Sequence, residues 1–117
     1  MPFVCPDHSR LEIRHMYMII IEGLRFEWDP GKDWKNRKKH GVSFDEAQTV
    51  FRDDFARLLG DPDHSEDEER FILLGRSERQ RMLMVVHCYG ISPSDIRIIS
   101  ARKATRNERS QYEEFLP

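Results

Sequence analysis

Nine cations crowd residues 70–112: Arg70, Arg76, Arg79, Arg81, Arg97, Arg102, Lys103, Arg106 and Arg109. They face only Glu78, Asp95 and Glu108, a local net charge of +6. Arginine stays charged at any working pH, and its fork of donors matches phosphate oxygens in pairs. Such a cluster suits an anionic polymer, and it suits stabilisation of charge developing at phosphorus. Arg102 is the first choice for that role, because it ends a strand-like stretch at a strand-to-helix junction. Strand alternation puts it on one face with Ser100 and Ile98, and puts Arg97, five residues earlier, on the other. Its alternative is an ion pair with an acidic loop. Arg76, Arg79 and Arg81 bracket a polar turn over 77–80, which could hold backbone phosphates or simply be solvated. Arg70 either reaches the site or pairs with Glu69. His87, between Val86 and Cys88, is the acid–base candidate, since imidazole titrates near neutrality; its alternative is a structural role in the strand. Lys103 and Tyr112 complete the binding set, with Tyr112 either stacking on a base or packing in the core.

The remaining charge offsets this segment. Residues 45–69 hold ten carboxylates against Arg52 and Arg57, a net of −8, so the overall −2 of the 117-residue chain is a cancellation. The longest apolar run, residues 16–21, is six long, against the ~20 needed to span a membrane. Cys5 and Cys88 show neither CxxC nor Cys/His metal spacing, which points to reduced thiols in a cytoplasmic protein. There is no phosphate-binding glycine loop, dinucleotide fingerprint or zinc spacing. Neither cofactor nor metal is expected. The carboxylates Asp61, Asp63, Glu66, Asp67, Glu68 and Glu69 read as a solvated loop without the EF-hand pattern. His40 reads as a helix-end residue, and His64 as an isolated loop residue.

These side chains need a scaffold, and the order of patterns supplies one. Residues 17–28 are rich in Ile, Phe and Trp and read as a strand, interrupted near Gly23. Asp29-Pro30 begins a helix over 31–40 that Gly41 ends. Ser43 and Glu46 fit a capping box for a second helix reaching residue 52. A short strand is expected at 55–59. Three strands then follow at 70–75, 81–89 and 96–101, joined by short polar links as an antiparallel meander. Thr105 and Glu108 cap a last helix. The expectation is an α+β domain: a small antiparallel sheet of three or four strands, with an N-terminal strand as an optional addition. Two N-terminal helices and one C-terminal helix pack against it.

An ordered set of segments carries a family resemblance. They are Phe26-Glu27-Trp28-Asp29-Pro30 with Lys32; Lys39-His40-Gly41-Val42-Ser43-Phe44; Asp67-Glu68-Glu69-Arg70-Phe71; Leu74-Gly75-Arg76-Ser77; and Arg97-Ile98-Ile99-Ser100-Ala101-Arg102-Lys103-Ala104-Thr105 with Glu108 and Tyr112. The chain over residues 25–114 resembles the BrnT family of type II toxin–antitoxin pairs. The resemblance implies a RelE/ParE-like toxin fold and a metal-independent ribonuclease that stops translation. It also implies a BrnA-like ribbon-helix-helix antitoxin, a heterotetramer with that antitoxin, and operator binding through the antitoxin. Cleavage would need help for the attacking 2′-OH, positive charge at the five-coordinate phosphorus, and assistance to the departing 5′-oxygen. Arg102, Arg76, His87 and Arg70 are the catalytic expectations. Arg79, Arg81, Arg97, Lys103 and Tyr112 are the RNA-binding ones. Two rival readings are a non-catalytic subunit that binds the antitoxin and a toxin acting on gyrase. Residues 1–24 precede the family-like segment as a tail or extra strand, with Met16 and Met18 as alternative starts; residues 25–117 form the toxin-like domain.

Overall fold

The computed structural model describes residues 16–60 and 69–117. The acidic loop residues at 61–68, including His64, and Cys5 therefore lie outside the described residues.

The first strand expectation resolves into a hairpin. β1 (Tyr17–Ile21) pairs antiparallel with β2 (Leu24–Trp28). The two-residue turn holds Glu22 at φ 53° and Gly23 at φ 85°. Left-handed φ at both positions gives the turn a twist that matches the flanking strands. Residues 17–21 of the segment read as a tail or an extra strand form β1.

α1 (Pro30–His40) starts where the sequence indicates. Asp29 accepts the Gly31 N–H at 2.8 Å, Pro30 opens the helix, and Gly41 at φ 71° closes it. One buried side chain anchors this otherwise polar helix. Asn36 donates to the carbonyls of Val42 and Ala101, each at 2.8 Å, and accepts the Ala101 N–H at 3.1 Å. α2 (Phe44–Thr49) continues into a 3-10 turn, Val50–Arg52. Ser43 caps Glu46 N–H as expected, at 3.0 Å. The Glu46 carboxylate goes to Ser77 and Arg81 instead of completing the box, because charged donors bind a carboxylate more strongly than a neutral N–H does.

β3 (Arg57–Gly60), β4 (Phe71–Arg76), β5 (Met82–Tyr89) and β6 (Asp95–Lys103) complete the sheet, and α3 (Arg106–Glu114) ends the fold. The α+β class and the β4–β5–β6 meander agree with the sequence. The sheet is larger than expected, with six strands among the described residues in the order β1-β2-β6-β5-β4-β3. It is also mixed, because β2 runs parallel to β6. Strand patterns do not reveal this long-range pairing.

One face of the sheet packs Phe26, Leu83, Val85, Ile96, Ile98 and Ala101 against Val42, Phe44, Ala47 and Val50. The other packs Leu74, Met82 and Met84 against Tyr112 of α3. A β-bulge lies in β6, where His87 pairs with Ile98 but Val86 pairs with Ser100. Ile99 is the extra residue. The bulge restarts the alternation, so Ile98 and Ala101 share a face although three positions separate them. Arg97 and Arg102 therefore share the opposite face, paired across to Cys88 and Met84. This corrects the expectation that they point apart.

Candidate functional site

The β4–β5 turn, the end of β6 and the outer face of α3 enclose a cleft of about 490 Å³. It is lined by Arg76, Gln80, Arg81, Met82, Lys103, Ala104, Arg106, Arg109, Ser110 and Glu113. Thr105 caps the helix that forms one wall. Its hydroxyl accepts the Glu108 N–H at 3.2 Å while Glu108 accepts the Thr105 N–H at 2.8 Å, a complete capping box. The helix so started carries Arg106, Arg109, Ser110 and Glu113 at i, i+3, i+4 and i+7, one stripe facing the cleft.

Arg76, Lys103, Arg106 and Arg109 are all exposed. Lys103, Arg106 and Arg109 form no ion pair among the described residues. The Arg76 guanidinium lies 6.0 Å from the Tyr112 ring centroid, and its backbone N–H donates to Asp53 Oδ2 at 2.8 Å. The Tyr112 hydroxyl donates to the same oxygen at 2.7 Å. Burial, and then the Asp53 carboxylate, push the Tyr112 hydroxyl pKa up. Burial pushes Asp53 the same way, but hydrogen bonds from Arg76, Tyr112 and Phe55 outweigh it and hold the carboxyl below its usual range.

Arg81 enters the cleft from a fixed base. Its guanidinium grips both oxygens of Glu46 and donates to the Gly41 carbonyl at 3.1 Å. Ser77 donates to Glu46 at 2.7 Å, and Arg79 stands 3.8 Å away while remaining 68% exposed. Burial would raise the Glu46 pKa, yet Arg81, Ser77 and Arg79 together lower it. The buried carboxylate therefore fixes the turn that carries Arg79 and Arg81 onto α2.

Other expected site residues lie elsewhere or are already engaged. Arg102 forms a bidentate pair with Glu108 at 2.8 and 2.9 Å, so its partner among the described residues is a helix carboxylate. Arg97 is 1% exposed against the equally buried Glu27, at 3.7 Å. That burial removes the expected RNA contact. His87 is fully buried among Phe51, Phe71 and Tyr89. Its Nδ1 donates to the Val85 carbonyl, its Nε2 accepts from Tyr89, and burial lowers its pKa to about 4. An interior imidazole that stays neutral does not fit the acid–base role expected of it. Tyr112 is 2% exposed in the α3-side core, so its ring packs rather than stacks on a base. Arg70 precedes β4 while Arg76 ends it, a separation of about 20 Å along an extended strand. His87 pairs with Phe71 at the Arg70 end.

The fold thus brings together Arg76, Arg81 and Lys103 with Arg106 and Arg109, two residues not singled out from the sequence. Their three-residue spacing behind the Thr105 cap was the available signal. No group of three or more His, Cys, Asp or Glu side chains among the described residues is placed to hold a metal ion. No helix among the described residues is long and apolar enough to cross a membrane.

Comparison with known proteins adds the family. The chain matches, over residues 28–108, the family described as "Ribonuclease toxin, BrnT, of type II toxin-antitoxin system". Among solved structures it is similar to the 1.1 Å crystal structure of the Brucella abortus ribonuclease toxin BrnT. The TM-score is 0.49 at 21% identity, covering 68% of this chain and 94% of that one. Comparison with the curated proteins found no match. The family match spans the two N-terminal helices, the meander and the capped start of α3, and the chain belongs to the BrnT family of ribonuclease toxins of type II toxin–antitoxin systems.

Proposed function

We propose that this chain is a metal-independent endoribonuclease of the cytoplasm whose RNA site is the cleft between the β4–β5 turn and α3. The observation that carries this reading is the set of exposed cations Lys103, Arg106 and Arg109, which face the cleft without a carboxylate partner among the described residues. Most other arginines of the basic segment are tied to Glu46, Glu27 or Glu108. Unpaired guanidinium and ammonium groups on one wall are suited to the phosphates of single-stranded RNA.

In this reading Arg76, Arg106 and Arg109 hold the scissile phosphate and stabilise the charge that builds as the 2′-OH attacks it. Glu113 is the carboxylate lining the cleft, and it serves as the base for the 2′-OH. Lys103 assists the departing 5′-oxygen. Arg81 contributes charge from its position on Glu46. Cleavage of cellular RNA would then stop translation. A BrnA-like ribbon-helix-helix antitoxin would neutralise the toxin in a heterotetramer and carry the pair to operator DNA.

The test is incubation of RNA with the protein in EDTA. Wild type should cleave, and the Arg106→Ala/Arg109→Ala variant should lose cleavage by about 100-fold, the scale of losing preorganised charge at a transition state. Wild-type cleavage by that variant would remove the site from this cleft. If the wild-type protein leaves RNA intact yet binds a DNA-binding partner, the non-catalytic reading replaces this one. Inhibition of supercoiling without RNA cleavage would select a gyrase target.

A further inference from the structure

α1 carries Lys32, Lys35, Arg37, Lys38, Lys39 and His40 within eleven residues. Its internal carboxylate, Asp33, is engaged: it accepts the Phe44 N–H at 2.8 Å and lies 3.7 Å from Arg37. The buried side of the helix is fixed by Asn36. At about 100° of rotation per residue, Trp34 and Lys38 point away from Asn36, with Lys35 and Arg37 flanking them. Trp34 is 55% exposed, whereas Trp28 is 4% exposed. Trp34 belongs to neither core cluster. Lys38 Nζ stands 5.0 Å from the Trp34 ring centroid.

The cations of the last turn suit the negative end of the helix dipole. That does not account for Lys35, nor for a large aromatic ring facing solvent at mid-helix. A flat indole with cations on either side can stack a nucleobase while the cations take the neighbouring phosphates.

The position of the helix also fits this use. Its C-terminal neighbour Gly41 accepts a hydrogen bond from Arg81, which lines the cleft. Seven residues separate Gly41 from Trp34, about 10 Å along the helix axis. Arg81 thus joins the cleft to the C-terminal end of α1, the helix whose outward side carries Lys35, Arg37 and Lys38.

We propose that α1 extends the cleft as a second RNA-contacting surface: one base of a single-stranded RNA stacks on Trp34, and the adjoining phosphates lie on Lys35 and Lys38. This inference rests on the reading that the cleft holds RNA.

The experiment uses fully 2′-O-methylated oligonucleotides, which lack the attacking hydroxyl and stay intact. One is short enough to be confined to the cleft, and one is long enough to reach α1. The chain has two tryptophans and Trp28 is buried, so quenching by RNA reports Trp34. The longer oligonucleotide should quench and the shorter should not. Trp34→Ala/Lys38→Ala should weaken the longer one about tenfold and reduce the salt slope of binding by about one. It should leave the shorter one unchanged. Trp34→Phe should retain most of the affinity, because a ring remains. Arg106→Ala/Arg109→Ala should weaken both oligonucleotides.

If the α1 variant binds the longer RNA with wild-type affinity and salt slope while the cleft variant is weakened, the extension is wrong and the cleft stands. If the cleft variant binds both oligonucleotides normally, the cleft reading fails and the extension fails with it. If the α1 variant loses binding to an acidic segment of the antitoxin but keeps RNA, the surface belongs to a protein partner and the proposal is overturned.

Discussion

Both terminal nitrogens of Arg102 bind the Glu108 carboxylate, at 2.8 and 2.9 Å, and join the end of β6 to the first turn of α3. The same carboxylate accepts the Thr105 N–H. Arg102 thereby fixes the start of the helix that carries Arg106 and Arg109, and it acts on the cleft through that helix. Arg102→Ala should cost about 1 kcal/mol of stability, a modest figure because the guanidinium side chain is 42% exposed and water screens the pair. Urea unfolding of both single variants and the double variant with Glu108→Gln checks the coupling. Lost cleavage by Arg102→Ala with an unchanged unfolding midpoint would give Arg102 a direct role in RNA chemistry.

The hydrogen bond from Arg102 outweighs burial, and Thr105 assists, so the Glu108 pKa falls from its ordinary 4.5 to about 2. A depressed carboxylate stabilises the native state above its unfolded pKa, and that contribution is lost as pH falls through the native one. Wild type should therefore lose this increment between pH 4.5 and 2. Glu108→Gln should not, so the two unfolding midpoints should converge toward the acid end. A constant gap across that window would contradict the assignment.

His87 has the opposite relation to protons. Burial lowers its pKa from 6.5 to about 4, so the unfolded chain takes up a proton that the native chain refuses. Stability from this site is complete above pH 6.5 and declines down to about pH 4, by about 3 kcal/mol. His87→Phe should flatten the stability profile in that window and leave RNA cleavage near the wild-type rate. A cleavage loss of 100-fold or more with the fold intact, on the scale of a lost general base, would restore His87 to the chemistry.

Arg81→Ala removes the main cation from a Glu46 side chain that is 3% exposed. A buried carboxylate left with Ser77 and the distant Arg79 should cost about 3 kcal/mol. Arg81→Ala combined with Glu46→Gln should recover part of that loss, because the uncompensated charge is gone. Chemical denaturation of the set distinguishes this from simple loss of packing, in which the double variant would be no better than the single.

Gly75 faces the helix side of β4. A Cβ there would sit 2.8 Å from Val50 Cγ1 and 2.9 Å from Ala56 Cβ. Gly75→Ala must displace these neighbours and should destabilise by about 1–3 kcal/mol, as overpacking does. A thermal midpoint equal to wild type would show that the 3-10 turn shifts at no cost.

The local elements were readable along the chain, because their signals are local. Asp29, Pro30 and Gly41 bound α1, and Thr105 with Glu108 starts α3, since a cap needs only side chains within a few residues. A continuous apolar run bounded by polar turns marked β5. The charge segregation and the ordered family-like segments were also legible in one dimension.

Which arginines are available depends on long-range packing. Each guanidinium carries the same charge in the sequence, but Glu27, Glu46 and Glu108 approach Arg97, Arg81 and Arg102 through strand pairing and helix packing. A carboxylate 70 residues away in sequence, such as Glu27 from Arg97, leaves no local pattern. The bulge at Ile99 likewise reversed the alternation that separated Arg97 from Arg102, because one extra residue changes the face of every residue beyond it. Burial acted on His87 and Tyr112 in the same way, as a property of what packs around them. The cleft proposed for RNA is consequently lined by Lys103, Arg106 and Arg109, which have no ion-pair partner among the described residues, and not by Arg102, which Glu108 holds.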